Sequence, residues 1–442
     1  MRKPFLSLDR ASFYVLAAIT IGGSLEWFQI GLFYSWDLVF DQGASLAKES
    51  IAQSLSTVAV LSIALFSGGM RILGGFIFGK KGDREGRSKA LFSTLKITTW
   101  SVAILAFLAL FISYHTWITY SAILFAVVRF LQGVPAGGEI PGAICYLAEA
   151  VKDSGKKSIW ANKRFTCSFA LLAPQVGLML SNLTCLLLQK FLSPKVLLDF
   201  GWRLVLPLAA VLGWIVCHMR ERLKETKPFL VVEASHHTLH SPFKTVLKEE
   251  KEKTIFGFLV SVFEVVSFSV LSVLPYLYAK KPFYLPGISI ICLQLSSALL
   301  SIILLPVIGY LSTKYRSLPW LKIGVLGTIG LSFLLYWLLL SGNLAFSLII
   351  YFLLLFLFSI HAAILPSILA SLFPVRVRYT GIAFSFNICD GILWSLVTNA
   401  CFLMIPKGGP LFLIFLPISA VVFLITLWVF KNKNRRIANH LR

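Results

Sequence analysis

Charge is scarce in this chain. It makes up 14% of 442 residues while 57% are hydrophobic, too little to clothe a water-soluble globule of that size. Acids are scarcer still, 19 Asp and Glu against 41 Lys and Arg, and a net charge of +22 in a soluble protein would point to nucleic acid. Here the cations fall in alternate links between apolar runs, the pattern that orients a membrane protein, and no nucleic-acid partner is expected. The seven cysteines (Cys145, Cys167, Cys185, Cys217, Cys292, Cys389 and Cys401) form no CxxC pair, so neither a disulfide frame nor a zinc site is indicated. His236 and His240 in "HHTLH" stand four apart, but no third ligand accompanies them and no metal is expected. Absence of GxxxxGK[ST], HExxH and GxSxG argues against a nucleotide-driven pump and a membrane enzyme, and no repeated filter element suggests a channel.

What the chain has in abundance is long apolar runs. A helix needs about 20 residues to cross some 30 Å of hydrocarbon, and a span in lipid must be helical or part of a closed barrel. The runs predict an all-α membrane protein with twelve transmembrane helices, near 12–35, 52–78, 90–112, 118–148, 160–189, 202–219, 254–279, 287–312, 320–341, 344–371, 380–405 and 410–430. Links at 80–89, 152–164, 220–253, 314–322 and 376–378, with both ends, carry the Lys and Arg; the intervening links hold only Lys48, Lys190, Lys195, Lys280, Lys281 and Lys407. Both termini are therefore expected in the cytoplasm. The opening segment mimics a secretory signal but lacks a small-residue cleavage site, and is read as the first helix, retained.

The spans divide into an amino-terminal six-helix bundle (1–219), a polar cytoplasmic linker (220–253) and a carboxy-terminal six-helix bundle with a basic tail (254–442). Duplicated halves of this kind are an architecture of secondary transporters. "GYLSTKYRSLPW" at 309–320 partly echoes "GKKGDREGRSKA" at 79–90, without the acid and the later glycine.

Charges inside spans carry the functional information, because one at mid-bilayer costs about 2.5–3.5 kcal/mol or more and normally faces a cavity or a partner. Glu26, Arg71, Arg129, Glu139, Glu264, His361 and Asp390 are such residues. Arg71 and Glu139 fall at similar depth and are expected to pair within the first bundle. Glu26 and Arg129 lie near mid-membrane, where alternating access places the binding site. Glu264 and Asp390 bring negative charge to the second half as alternative proton sites, and His361 is expected in a polar pocket. Trp27 or Trp394, facing the cavity, would meet a quaternary ammonium by cation–π attraction.

Several motifs resemble the major facilitator superfamily. Gly79, Gly82, Asp83, Arg84, Gly86 and Arg87 fill its link pattern between the second and third helices, and "RFLQG" at 129–133 is similar to its fourth-helix motif, associated with proton coupling. "EWF" at 26–28, "RILGGFIFGKKGDREGR", "RFLQGVPAGGE", "YLAE" at 146–149, "GWRLVLPLAA" before "RERLKETKPF", and "FPVRVRYTGIAFSFNI" together resemble the metabolite:proton symporters, which include proline/betaine, citrate, shikimate and 2-oxoglutarate carriers. Gln29 and Ile30 depart from that group's EWYDF, and Asp390 stands where a small or apolar residue is usual. The resemblance implies a monomeric secondary transporter of a zwitterion or carboxylate in the bacterial inner membrane, coupled to the proton gradient with no cofactor. Its cavity would include Glu26, Trp27, Gln29, Arg129, Glu264 and Asp390. Asp83, read as lying near the start of the third helix, would latch the cytoplasmic side with Arg84 and Arg87 against Arg376 or Arg378. Proton-driven export, and a transporter-like sensor without turnover, remain open at this stage.

Overall fold

The computed structural model describes residues 10–44, 68–111, 114–150, 162–193, 196, 202–280, 282–315, 317–405 and 409–433, with the side chains of 10–11, 33–44, 108–130, 202–203 and 431–433 outside that description. The first bundle consists of α1 (Arg10–Ala44), α2 (68–84), α3 (Arg87–Phe111), α4 (Tyr114–Ala150), α5 (Lys163–Phe191) and α6 (Trp202–Glu221). The second consists of α7 (Lys251–Leu277), α8 (Gly287–Lys314), α9 (Ser317–Leu340), α10 (Leu344–Leu372), α11 and α12 (Phe415–Lys433). Helix α11 is composite: Arg378–Ile388 is α-helical, Cys389–Trp394 is a π turn and Ser395–Met404 resumes the α form. Ten described segments are long and apolar enough to cross a membrane. α2 and α4 complete the twelve expected.

Local chemistry sets the helix ends. Asn162 caps α5, its side chain accepting from the Arg164 and Phe165 N–H groups, and Asn343 caps α10 by accepting from Phe346 N–H. Gly86 adopts φ +120°, a conformation that L side chains rarely take, and this break separates α2 from α3. Asp83 accordingly lies in the last turn of α2 rather than at the start of the third helix. The linker holds two short helices, Lys227–Ala234 and Pro242–Glu249, each with a proline in its first turn. His236 and His240 flank no helix that would set them on one face, and no metal-holding group occurs among the described residues.

Within the bundles α1 packs on α5, α3 on α6, α7 on α12 and α9 on α10. Between them α5 packs on α8 and α10, and α4 on α11. At the α2–α11 crossing a Cβ on Gly68 would run into the Gly391 carbonyl, so these helices touch backbone to backbone. The basic links gather at one face. Lys163 of α5 donates to Ser371 Oγ of α10 (2.8 Å), Arg164 reaches the Ser312 carbonyl of α8, and Arg376 pairs with Glu249 (3.1 Å).

Candidate functional site

The link face is closed by a buried polar lattice. Asp83 accepts hydrogen bonds from the Tyr379 N–H (3.1 Å) and the Thr380 N–H (2.9 Å) at the start of α11, where free backbone donors and the helix dipole favour an anion. The expected partners of Asp83, Arg376 and Arg378, bind elsewhere. Arg376 is half-exposed on Glu249, whereas Arg378 reaches Glu149 at 2.8 Å. A helix start offers two aligned donors at fixed positions, which a carboxylate can accept without ordering a long side chain.

Glu149 is the hub of this face. It takes Arg87 Nε at 3.0 Å from its own bundle, Arg378 Nη1 at 2.8 Å from the other, and the Thr226 hydroxyl at 2.7 Å from the linker. Arg87 also donates to the Gly82 carbonyl (2.7 Å) and the Val375 carbonyl and lies 3.4 Å from Asp83. Its guanidinium stands 4.7 Å from the Phe229 ring of the linker. Glu225 accepts from the Ser88 N–H and hydroxyl, tying the linker to the start of α3. Arg84, one position past Asp83, is exposed and stands apart from these contacts. The Tyr379 hydroxyl donates to the Gly138 carbonyl (2.7 Å) and Asn387 to Gly137, seaming α11 to α4 further inward.

A second cluster lies deeper. Arg71 of α2 places Nη2 3.1 Å from Glu26 of α1 and Nη1 2.8 Å from Asp390 in the π turn of α11. The Glu26 contact is an aligned hydrogen bond, while that to Asp390 is a charge pair lacking hydrogen-bond geometry. The expected Arg71–Glu139 pair is absent. Glu139 instead binds Arg220 of α6, Nη1 at 2.8 Å, and the Thr94 hydroxyl of α3 at 2.8 Å. Equal depth did not imply a shared direction: Glu139 faces α3 and α6, and Arg71 faces α1 and α11. Glu26 pairs with Arg71, and the expected Glu26–Arg129 arrangement falls outside the description because the Arg129 side chain lies outside the described residues. Gln29 accepts from Gln132 of α4 at 3.2 Å.

Above this cluster Trp27 forms a partition. Its ring stands edge-on to Phe268 at 5.4 Å and to Trp394 at 6.1 Å, with the Arg71 guanidinium 5.6 Å from its centroid. On one side is a small pocket lined by Glu264 and Asp390. On the other, in the half of the helices remote from the links, a larger cavity lies between the bundles, lined by Trp27 and Gln175 of the first and Tyr276, Gln294 and Trp394 of the second. His361 does not sit in a polar pocket. It is enclosed by Phe263 and Phe423 at 5.0 and 4.9 Å, and neither ring nitrogen has a hydrogen-bond partner among the described residues.

Twelve helices in two bundles, a central cavity and a polar seam at one face define a membrane transporter. The chain belongs to the Major Facilitator Superfamily, which matches residues 16–398, and it is a transporter of metabolites rather than an enzyme. It is 28% identical over 387 residues to the inner membrane metabolite transport protein YhjE of Escherichia coli K12, covering 85% of this chain and 84% of that protein. It is 26% identical over 397 residues to a putative proline/betaine transporter of Staphylococcus aureus COL, covering 89% and 82%. The structure of the proton:xylose symporter XylE bound to 6-bromo-6-deoxy-D-glucose shares its fold, with a TM-score of 0.75 at 15% identity over 95% of each chain.

Proposed function

We propose that this chain takes up a small polar metabolite, a zwitterion or a carboxylate, by alternating access coupled to proton entry. It acts as a monomer in the bacterial inner membrane, with the link face and both termini cytoplasmic and the proton gradient as its only energy source. The observation that carries this reading is Arg71, which holds one acid from each bundle directly beneath the cavity partition. A guanidinium shared between two carboxylates on bodies that move apart makes proton affinity depend on conformation. Protonation of either acid weakens its hold on Arg71, so proton binding and bundle movement share one contact. The latch around Asp83 and Glu149 keeps the cytoplasmic side shut while the cavity faces outward. The proline/betaine name of the Staphylococcus relative falls on the zwitterion side of this class.

The test is a panel of labelled zwitterions and carboxylates assayed in proteoliposomes with and without an imposed pH gradient. Accumulation that requires an inward proton gradient is the expected result. Accumulation driven by an opposed gradient would make the protein an exporter, and binding without uptake would make it a sensor.

A further inference from the structure

Three polar atoms around the larger cavity are buried without a hydrogen-bond partner among the described residues: Trp27 Nε1, Gln294 Oε1 and Thr398 Oγ1. Trp27 and Thr398 are 3% and 4% exposed. A buried polar group left unpaired costs about 1–3 kcal/mol, so three around one cavity form an arrangement that a ligand completes. One comes from α1, one from α8 and one from α11, so a single solute reaching them contacts both bundles. The described residues lining this cavity include no charged side chain. Arg71 lies behind the Trp27 ring and is committed to Glu26 and Asp390.

We propose that Trp27, Gln294 and Thr398 are the substrate-recognition set, and that they select a solute without net charge carrying both a hydrogen-bond acceptor and an N–H or O–H donor. The indole N–H donates to the acceptor, Thr398 supplies a hydroxyl that gives or takes, and the Gln294 carbonyl takes the donor. The proposal rests on the transport reading and narrows its substrate class. A dianion is disfavoured here because no lining group among the described residues neutralises it and the faces of Trp27, Phe268 and Trp394 are negative. A zwitterion balances its own charge, its cationic nitrogen turned to those faces. A polyol satisfies the same three atoms with hydroxyls alone. Glycine betaine has the acceptor but no N–H, so it leaves Gln294 unpaired and binds more weakly than proline.

The experiment is thermal unfolding of the purified full-length protein in detergent, titrated with L-proline, glycine betaine, xylitol, succinate and citrate. A ligand that binds the folded state raises the midpoint as its concentration passes Kd. Proline or xylitol is expected to raise it, proline ahead of glycine betaine, and the two polycarboxylate anions are expected to leave it unchanged. A response to proline alone assigns a zwitterion, and one to xylitol alone an uncharged polyol. Trp27→Phe, Gln294→Leu and Thr398→Val should each raise half-saturation by about tenfold, with the ligand-free midpoint reporting any loss of fold separately. The proposal is overturned if succinate or citrate stabilises as well as any net-neutral probe, if no net-neutral probe stabilises, or if all three variants respond like the parent. Proton-driven accumulation of succinate in vesicles would retain the transport reading and end this one. Binding of a net-neutral probe with no uptake would do the reverse.

Discussion

The guanidinium of Arg71 lies 2.8 Å from the carboxylate of Asp390, and the two residues belong to opposite bundles. The same guanidinium holds Glu26 of its own bundle at 3.1 Å. Moving the bundles apart at this depth must therefore break the first contact while the second can persist. Asp390 is the partner that reports conformation, and Glu26 is the partner that keeps the cation compensated throughout.

Removing the cation should be costly. Arg71→Ala leaves Glu26 and Asp390 facing each other across a buried site, and an uncompensated buried charge costs about 3–5 kcal/mol. A lowered melting midpoint is expected, partly restored in the Arg71→Ala/Glu26→Gln/Asp390→Asn combination. Equal midpoints for the single and triple variants would mean that the acids are not charged against Arg71.

The two acids should separate in a coupling assay. Glu26→Gln and Asp390→Asn each keep a hydrogen-bonding amide, so substrate exchange should persist at a reduced rate. Proton uptake driven by substrate should be lost in the variant that removes the coupling acid. Measured in proteoliposomes, full coupling in both variants moves the role to Glu264, which lines the same pocket as Asp390.

The latch predicts an accessibility change. Glu149→Gln removes the anion shared by Arg87 and Arg378, and Asp83→Asn weakens the bond to the start of α11. In either background a cysteine at Ser371, which normally meets Lys163 across the seam, should be alkylated at least about tenfold faster from the link side, the ratio set by a shift of about 1.4 kcal/mol. Unchanged labelling in both would leave these charges with topology alone.

Orientation has its own test. A cysteine at Lys280, between α7 and α8, should react with an impermeant reagent from outside the cell, and one at Lys248 in the linker should not. The reverse pattern would invert the protein and make the cavity face the cytoplasm.

Hydropathy made the helices legible because each must satisfy its own backbone in lipid, so length and apolarity nearly dictate them. It could not supply rotation about the helix axis. Arg71 and Glu139 share a depth, yet one faces α11 and the other faces Arg220 of α6. Glu149 and Arg220 lay in quoted motifs, "YLAE" and "RERLKETKPF", but at span ends, where a charge needs no explanation. Only the fold shows both fully buried and therefore obliged to pair. The role of the α11 start was invisible for another reason: its donors are backbone N–H groups, which no side-chain pattern announces.

The π turn at Cys389–Trp394 sets the phase of everything beyond it. One extra residue in a turn rotates the following helix by about 100° relative to an uninterrupted α-helix. Asp390 at its start meets Arg71, and Trp394 at its end meets Trp27, so the turn carries an ionic contact and an aromatic contact on one side of one helix. Winding the same residues as a regular α-helix, with none deleted, would turn Thr398 by up to about 100° from the cavity while Asp390 stayed in place. The distance along α11 between ion site and solute site is thus counted in residues, and an odd one sets their alignment.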